Sequence, residues 1–192
     1  MKALNIYLCG VGGQGIGLLA EVLGQACLVA GYTVKGCDTH GLAQRGGTVV
    51  SHLRIGERLH APLVPPREAD LVVSLERLEA IRALNDMLRP GGTVVYYDSV
   101  YQPIHVRMGL DTYPAPEAVE AAAAPLQARV ERVSLPALPD PRMQNVALLG
   151  RVAALGLIEG VGLPQIDEAL ASFVAPRLLE ANRQVLAEGA AR

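Results

Sequence analysis

Tryptophan is absent from this 192-residue chain, phenylalanine occurs once, and aromatic residues make up only 4% of it. Because 51% of the residues are nonetheless hydrophobic, the core must be assembled from Val, Leu, Ile and Ala, a composition that favours an α/β fold over a small β-sandwich. Cysteine is also scarce. Cys9, Cys27 and Cys37 are far apart, odd in number and never in a C-x-x-C pair, so they offer no disulfide framework, zinc site or iron-sulfur site. A dense basic run is missing too, and the formal net charge is -2; nucleic acid and anionic membrane surfaces are therefore not expected partners. Long apolar runs are lacking: the longest apolar region, Ile16 to Ala30, is interrupted by Glu21, Gly24 and Gln25 and does not suit a bilayer. Met1 and Lys2 lead directly into the strand-like Leu4-Asn5-Ile6-Tyr7-Leu8, which leaves no room for a signal peptide, and a cytoplasmic location is expected.

What is present reads as one unit over residues 1–192, with a sheet-containing part at 1–135 and a helical tail at 142–190. The fold class expected is α/β, three-layer and Rossmann-like, its sheet mostly parallel with one antiparallel hairpin. A buried strand ends near Cys9, and a glycine loop then opens a helix from about Gln14 to Ala30, closed by Gly31. Ile16, Leu19, Leu23, Cys27 and Ala30 fall on one stripe of that helix, while Leu18, Val22 and Val29 lie off it, so burial from two sides is expected. Tyr32 to Lys35 reads as a second strand, and Asp38 to Gly47 as an ordered functional loop. Thr48 to Ile55 alternates like a strand, and Gly56-Glu57 before Arg58-Leu59-His60 suggests a hairpin return. Asp70 to Val73 is a further buried strand, with Ser74 placed to cap a helix whose apolar face carries Leu78, Ile81, Leu84 and Leu88. Arg89-Pro90-Gly91-Gly92 turns into the strand Thr93 to Tyr97. Pro116 to Gln127 reads as an Ala-rich helix, Val130 to Leu135 as a last strand, and Arg142 to Leu155 and Pro164 to Glu188 as the helices of the tail.

The loop Gly10-Val11-Gly12-Gly13-Gln14-Gly15 has the G-x-G-x-x-G spacing of a dinucleotide site, where bare backbone and a helix N-terminus receive a pyrophosphate. A nicotinamide site also needs an acidic side chain at the end of the second strand, and Asp38 is the one candidate. The plainer reading is that these glycines only let strand and helix pack closely. Leu88-Arg89-Pro90-Gly91-Gly92 before a strand suits the late sheet of S-adenosylmethionine enzymes, but Pro-Gly-Gly is also a generic helix-to-strand turn. A stand-alone protein binding NAD or S-adenosylmethionine on a Rossmann-like fold is thus one expectation.

A longer pattern points elsewhere. The glycine loop, then Gly31-Tyr32-Thr33-Val34-Lys35, then His40 through Arg54 with Gln44-Arg45-Gly46-Gly47 at its centre, resembles the gamma domain of 2-oxoacid:ferredoxin oxidoreductases. Ala69-Asp70-Leu71, Pro90-Gly91-Gly92, Asn145 to Gly150, Glu180-Ala181-Asn182 and Gly189 extend the resemblance over nearly the whole chain. Pyruvate and 2-oxoglutarate members commonly carry an acidic residue just before their Arg-Gly-Gly; this chain has Ala43-Gln44 there, with His40 ahead of Gly41, and resembles the beta subunit of the indolepyruvate branch.

That resemblance implies oxidative decarboxylation of a 2-oxoacid with coenzyme A to an acyl-CoA, carbon dioxide and reduced ferredoxin, with thiamine diphosphate and 4Fe-4S clusters supplying the chemistry. This sequence has neither cluster spacing nor a Gly-Asp-Gly thiamine signature. The implied arrangement is a cofactor-free small subunit, inactive alone, beside a larger subunit that carries those groups and passes electrons to ferredoxin. Gly10, Gly12, Gly13, Gln14, Gly15, Arg45, Gly46 and Gly47 are then candidates for a phosphate or CoA site, or for subunit contact, and no catalytic or metal-binding residue is expected.

Taken singly, Arg45 suits a phosphate or carboxylate through paired hydrogen bonds, or local carbonyls that fix its loop. Gln14 either caps the helix or faces a partner. His40 is close enough in sequence to share a site with Arg45, though loop histidines are more often structural. His52, on a half-buried strand, and Cys9, at the end of a buried one, read as packing residues. Arg54 and Lys35 read as solvated strand positions able to add positive charge.

Overall fold

A computed structural model describes residues 3–39 and 47–192. Six strands form one sheet: β1 (Leu4–Val11), β2 (Val34–Thr39), β3 (Thr48–Ile55), β4 (Ala69–Ser74), β5 (Leu88–Tyr97) and β6 (Arg129–Val133), in the order β2-β3-β1-β4-β5-β6. β1, β4, β5 and β6 run parallel, and β3 is antiparallel to both of its neighbours. The helices are α1 (Ile16–Val29), α2 (Arg77–Asp86), α3 (Ile104–Arg107), α4 (Glu117–Ala123), α5 (Gln144–Ala154), α6 (Leu163–Phe173) and α7 (Pro176–Ala190).

Period-two alternation along the strands sorts the core into two halves. On β1, Ile6 and Leu8 join the core shared with α1, α5, α6 and α7, while Cys9 joins the core beneath α2 and α4. The same division separates Leu71 and Val73 from Val72 on β4, and Val95 and Tyr97 from Val94 and Tyr96 on β5. This is the expected three-layer α/β arrangement, and its core draws on the sheet and on the helical tail alike. α1 is covered on two sides, by the sheet and by α5 and α6, which accounts for Val22 and Leu18 off its main stripe, whereas Leu28 and Val29 at its last turn are exposed.

Several elements differ from the sequence reading. Arg58-Leu59-His60 does not return as a strand; β3 finds its antiparallel partners in β2 and β1 instead, so the hairpin is β2–β3. β2 extends to Thr39, taking Asp38 out of the loop to which it was assigned. Ser74 does not cap α2. Its hydroxyl bonds the Glu76 carbonyl at 2.7 Å, and the cap is Glu76, whose carboxylate accepts from the Glu79 N–H at 2.9 Å. The buried face of α2 is Glu79, Ala80, Ala83 and Leu84, with Leu78 and Ile81 at its margins. The helix expected over Pro164 to Glu188 is two helices, because Val174 and Ala175 are extended and the residue before Pro176 is disfavoured in the helical region.

α5 and α7 cross at two glycines. A Cβ on Gly150 would stand 2.1 Å from the Leu186 carbonyl oxygen, and one on Gly189 would stand 2.1 Å from that of Ala147. These two positions are where the backbones touch.

Candidate functional site

The glycine loop sits where β1 passes into α1. Gly13 and Gly15 have φ of 102° and 85°, a region that favours glycine, and Gly15 occupies the N-cap of α1. A Cβ on Gly10 would lie 2.9 Å from both the Gln14 amide oxygen and the Ile16 side chain. Gln14 itself is buried, and its amide acts as a buckle: Oε1 accepts from the Val11 N–H at 2.7 Å, while Nε2 donates to the Leu75 carbonyl at 2.7 Å and to the Ser99 hydroxyl oxygen at 3.1 Å. Gln14 is thus a buried structural residue, but it braces the loop against the segment after β4 and does not cap α1 as the sequence suggested. Gln14→Leu is expected to leave the Val11 N–H unpaired and to cost about 2–3 kcal/mol, measured as a lowered urea midpoint at unchanged slope.

The second candidate loop meets the first. The Gly12 N–H donates to the Gly47 carbonyl at 2.8 Å, and pairing of Val11 with Thr48 brings the two segments together at the C-terminal end of β1. Arg45 and Gly46 immediately precede Gly47 in the chain; they and His40 lie outside the described residues.

This arrangement does not suit a nicotinamide nucleotide. In the dinucleotide fold the second strand lies directly beside the first, whereas here β3 intervenes, which moves the end of β2 about 10 Å across the sheet from β1. Asp38, the candidate ribose ligand, accepts a hydrogen bond from the Ser51 hydroxyl at 2.5 Å. The Gly12 N–H is engaged by Gly47 rather than free for a phosphate.

Beside the loop, a cleft of about 270 Å³ opens between the start of α1 and the junction of α6 with α7, lined by Gly15, Leu18, Asn145, Phe173, Leu178 and Asn182 among others. Asn145 donates to the Gly15 carbonyl at 3.2 Å, and Asn182 donates to the Leu178 carbonyl at 2.7 Å. Sequence reasoning set both asparagines down as family matches without a role. Both prove to be buried residues of this cleft.

The remaining candidates are structural. Burial pushes the thiols of Cys9 and Cys27 up to about 12, so neither provides a thiolate at neutral pH for catalysis or for a cluster. His52 Nδ1 accepts from the Val64 N–H at 3.1 Å, its ring meets Tyr7 edge-on, and burial lowers its pKa. Arg54 donates to the Asn5 side chain and to the Ala61 carbonyl. Lys35 lies exposed on the edge strand. Among the described residues no cluster of three His, Cys, Asp or Glu side chains suits a metal ion, and no helix is long and apolar enough to cross a membrane.

Two features had no sequence signal. Glu76 is wholly buried, and burial pushes its carboxyl up to about 7. Asp98 is held by Arg77, with Nε to Oδ1 at 2.6 Å, and by Arg132. Tyr101 at Glu76, and Arg77 and Arg132 at Asp98, reach them from other strands and connections.

The family described as pyruvate ferredoxin/flavodoxin oxidoreductase matches residues 5–192. The chain belongs to that family. Within it, the chain is 34% identical to the indolepyruvate oxidoreductase subunit IorB of Thermococcus kodakarensis, over 98% of this chain and 95% of that protein. It is likewise 34% identical to the IorB of Methanothermobacter thermautotrophicus, over 96% and 95% of the two chains. The solved structure of the pyruvate oxidoreductase subunit PORC from Thermotoga maritima has the same fold, with a TM-score of 0.67, 18% identity, and coverage of 100% of this chain and 97% of that one. A 2-oxoglutarate:ferredoxin oxidoreductase from Magnetococcus marinus, solved with 2-oxoglutarate, coenzyme A and succinyl-CoA bound, matches all of this chain with 31% of its own length, at a TM-score of 0.65 and 20% identity. This oxidoreductase-family fold is thus found both as a chain of similar length and as a portion of a much longer one.

Proposed function

We propose that this chain is the small, cofactor-free subunit of an indolepyruvate-type 2-oxoacid:ferredoxin oxidoreductase. The observation that carries the proposal is the end-to-end likeness to IorB, 98% of this chain against 95% of the Thermococcus protein. The complex converts an aryl 2-oxoacid and coenzyme A to acyl-CoA and carbon dioxide, and the two electrons released pass to ferredoxin.

Thiamine diphosphate and 4Fe-4S clusters belong to a larger partner subunit. The residues of this chain do not fit them: Cys9 and Cys27 lie in separate cores on opposite faces of the sheet, and both thiols are held neutral by burial. Its own contribution is positional. Gly12, Gly13 and Gly15, with Gly47 across from them, form the face turned toward the partner and toward coenzyme A, while the buried Gly10 and Gln14 support that face from within. Arg45 and Gly46 precede Gly47 in the sequence and are proposed for the same role on the strength of the sequence alone. Gly13 is exposed at the tip of the face, and among the described residues no side chain caps the N–H groups that begin α1.

Tagged chain purified from its native cells is expected to bring down a larger iron-sulfur protein, with indolepyruvate-dependent, CoA-dependent ferredoxin reduction in the complex and none in the isolated chain. Purification of the chain alone would sink the subunit reading. A preference of the complex for pyruvate would sink the indolepyruvate assignment only.

A further inference from the structure

Beyond β5 the chain runs from Ser99 to Pro114 and is held at both ends by the three residues that follow β4. At its start, the Ser99 hydroxyl donates to the Leu75 carbonyl at 2.6 Å, and the Arg77 N–H donates to the Ser99 carbonyl at 3.3 Å. The Tyr101 N–H reaches the Glu76 carboxylate at 3.4 Å. At its end, Arg77 Nη1 donates to the Pro114 carbonyl at 2.9 Å, and the guanidinium lies 5.7 Å from the centre of the Tyr113 ring. The segment is thin: Val100, Tyr101, Met108 and Leu110 are exposed on it. Directly beneath its first residues lies Glu76, which is 0% exposed. The contacts to that carboxylate, from Glu79, Tyr101 and Leu78, come from backbone N–H groups rather than from a cation.

We propose that residues 99–114 form a strap that lifts when Glu76 loses its proton, a proton-controlled cover over the end of β4 and the neighbouring glycine loop. With the strap down, water is kept from the carboxyl and the charged form is disfavoured. With the strap raised, the carboxylate is hydrated. The glycine loop is coupled to the movement, because Gln14 Nε2 shares the Leu75 carbonyl with Ser99 and itself bonds the Ser99 hydroxyl.

Glu79, on α2, adds negative charge that opposes ionisation of Glu76. The Cys9 thiol, from β1, is pushed up to about 12 and stays neutral. The guanidinium groups of Arg77 and of Arg132, from β6, both pair with Asp98. Arg107 and Asp111 of the strap are exposed. The strap also carries His105, an imidazole of a type that titrates in the same pH range, so the Glu76→Gln variant is what assigns a pH-dependent step to Glu76.

Burial raises the Glu76 carboxyl from 4.5 to about 7, against the smaller opposing pull of the Glu79, Tyr101 and Leu78 N–H groups. The closed form therefore binds the proton more tightly than the lifted form. Lifting becomes more favourable as pH rises between those two values and gains nothing further above the higher one, with a ceiling of ~300-fold.

Amide hydrogen exchange of the full chain, read on peptides spanning residues 99–114 and corrected for the intrinsic pH dependence of exchange, tests this. Protection is expected to fall by up to ~100-fold from about pH 5 to about pH 7 and then level off, while peptides from α5 show no such step. Glu76→Gln should abolish the step. A wild-type strap whose protection ignores pH, or a step that survives in Glu76→Gln, overturns the proposal. If the variant does not fold, the wild-type chain decides by NMR: the Glu76 side-chain carbonyl and the Tyr101 amide must titrate together near neutrality. A carboxyl titrating near the ordinary glutamate value, or a Tyr101 amide that does not follow it, rejects the strap.

Discussion

Gly150→Ala is expected to destabilise the protein by about 3 kcal/mol, even though alanine is the better helix former by about 1 kcal/mol at an interior position. The added methyl would sit 2.1 Å from the Leu186 carbonyl oxygen and 2.9 Å from the Ala190 nitrogen, both backbone atoms that cannot rotate away. α5 and α7 would have to separate by more than an ångström, loosening Val146, Leu149, Val185 and Leu186 together. Gly189→Ala strikes the same contact from the other side, against the carbonyl of Ala147. Once the helices have moved apart for one methyl, the second costs less, so the double variant should lose clearly less than the sum of the two single losses. Urea unfolding of the three variants checks both points. Single variants as stable as wild type would mean that the crossing is looser than described.

The second large effect is expected at Asp98. Its carboxylate is 4% exposed and is shared by Arg77, 12% exposed, and Arg132, 50% exposed. Asp98→Ala removes the only counter-charge seen for Arg77 among the described residues and leaves a largely buried guanidinium with the Pro114 carbonyl and the Tyr113 ring. Breaking one side of a buried pair typically costs about 3–5 kcal/mol, and a loss near the lower end is expected because Arg132 holds its own solvent shell. Arg132→Ala leaves the Arg77 pair intact and removes a half-exposed partner, so it should cost under about 1 kcal/mol. The contrast between the two variants is the measurement that matters. Equal losses from both would show that Arg77 does not depend on Asp98.

Much of the fold was legible because strands and helices leave different periods in a sequence. Ile6 and Leu8 against Cys9 on β1, and the apolar positions of α1, declare their buried faces without reference to anything distant. The errors share a cause. Ser74 is a good N-cap by residue type, yet Glu76 takes the role because the chain runs two residues further before the helix begins and the strap from Ser99 closes over it. Arg58-Leu59-His60 looked like a returning strand because Gly56-Glu57 is a plausible turn, but β3 had already found partners on both edges in β1 and β2.

The candidate site divides in the same way. The local sequence suffices to predict a tight turn between a strand and a helix at Gly10 to Gly15, and the full run of motifs suffices to place the chain among the oxidoreductases of its family. What the glycine loop is joined to could not be read from spacing. Its contacts are with Gly47, Leu75, Ser99 and Asn145, partners spread from residue 47 to residue 145 of the chain. Insertion of β3 between β1 and β2 is a matter of sheet order, and it alone separates Asp38 from the loop that a nucleotide would need it to serve. Periodicity and turn chemistry act over a few residues, so the sequence by itself determined the elements and the family. Burial and pairing act across the whole molecule, so only the tertiary structure decided that Gln14 is a buckle, that Gly150 and Gly189 are a helix crossing, and that Glu76 lies dry beneath a strap.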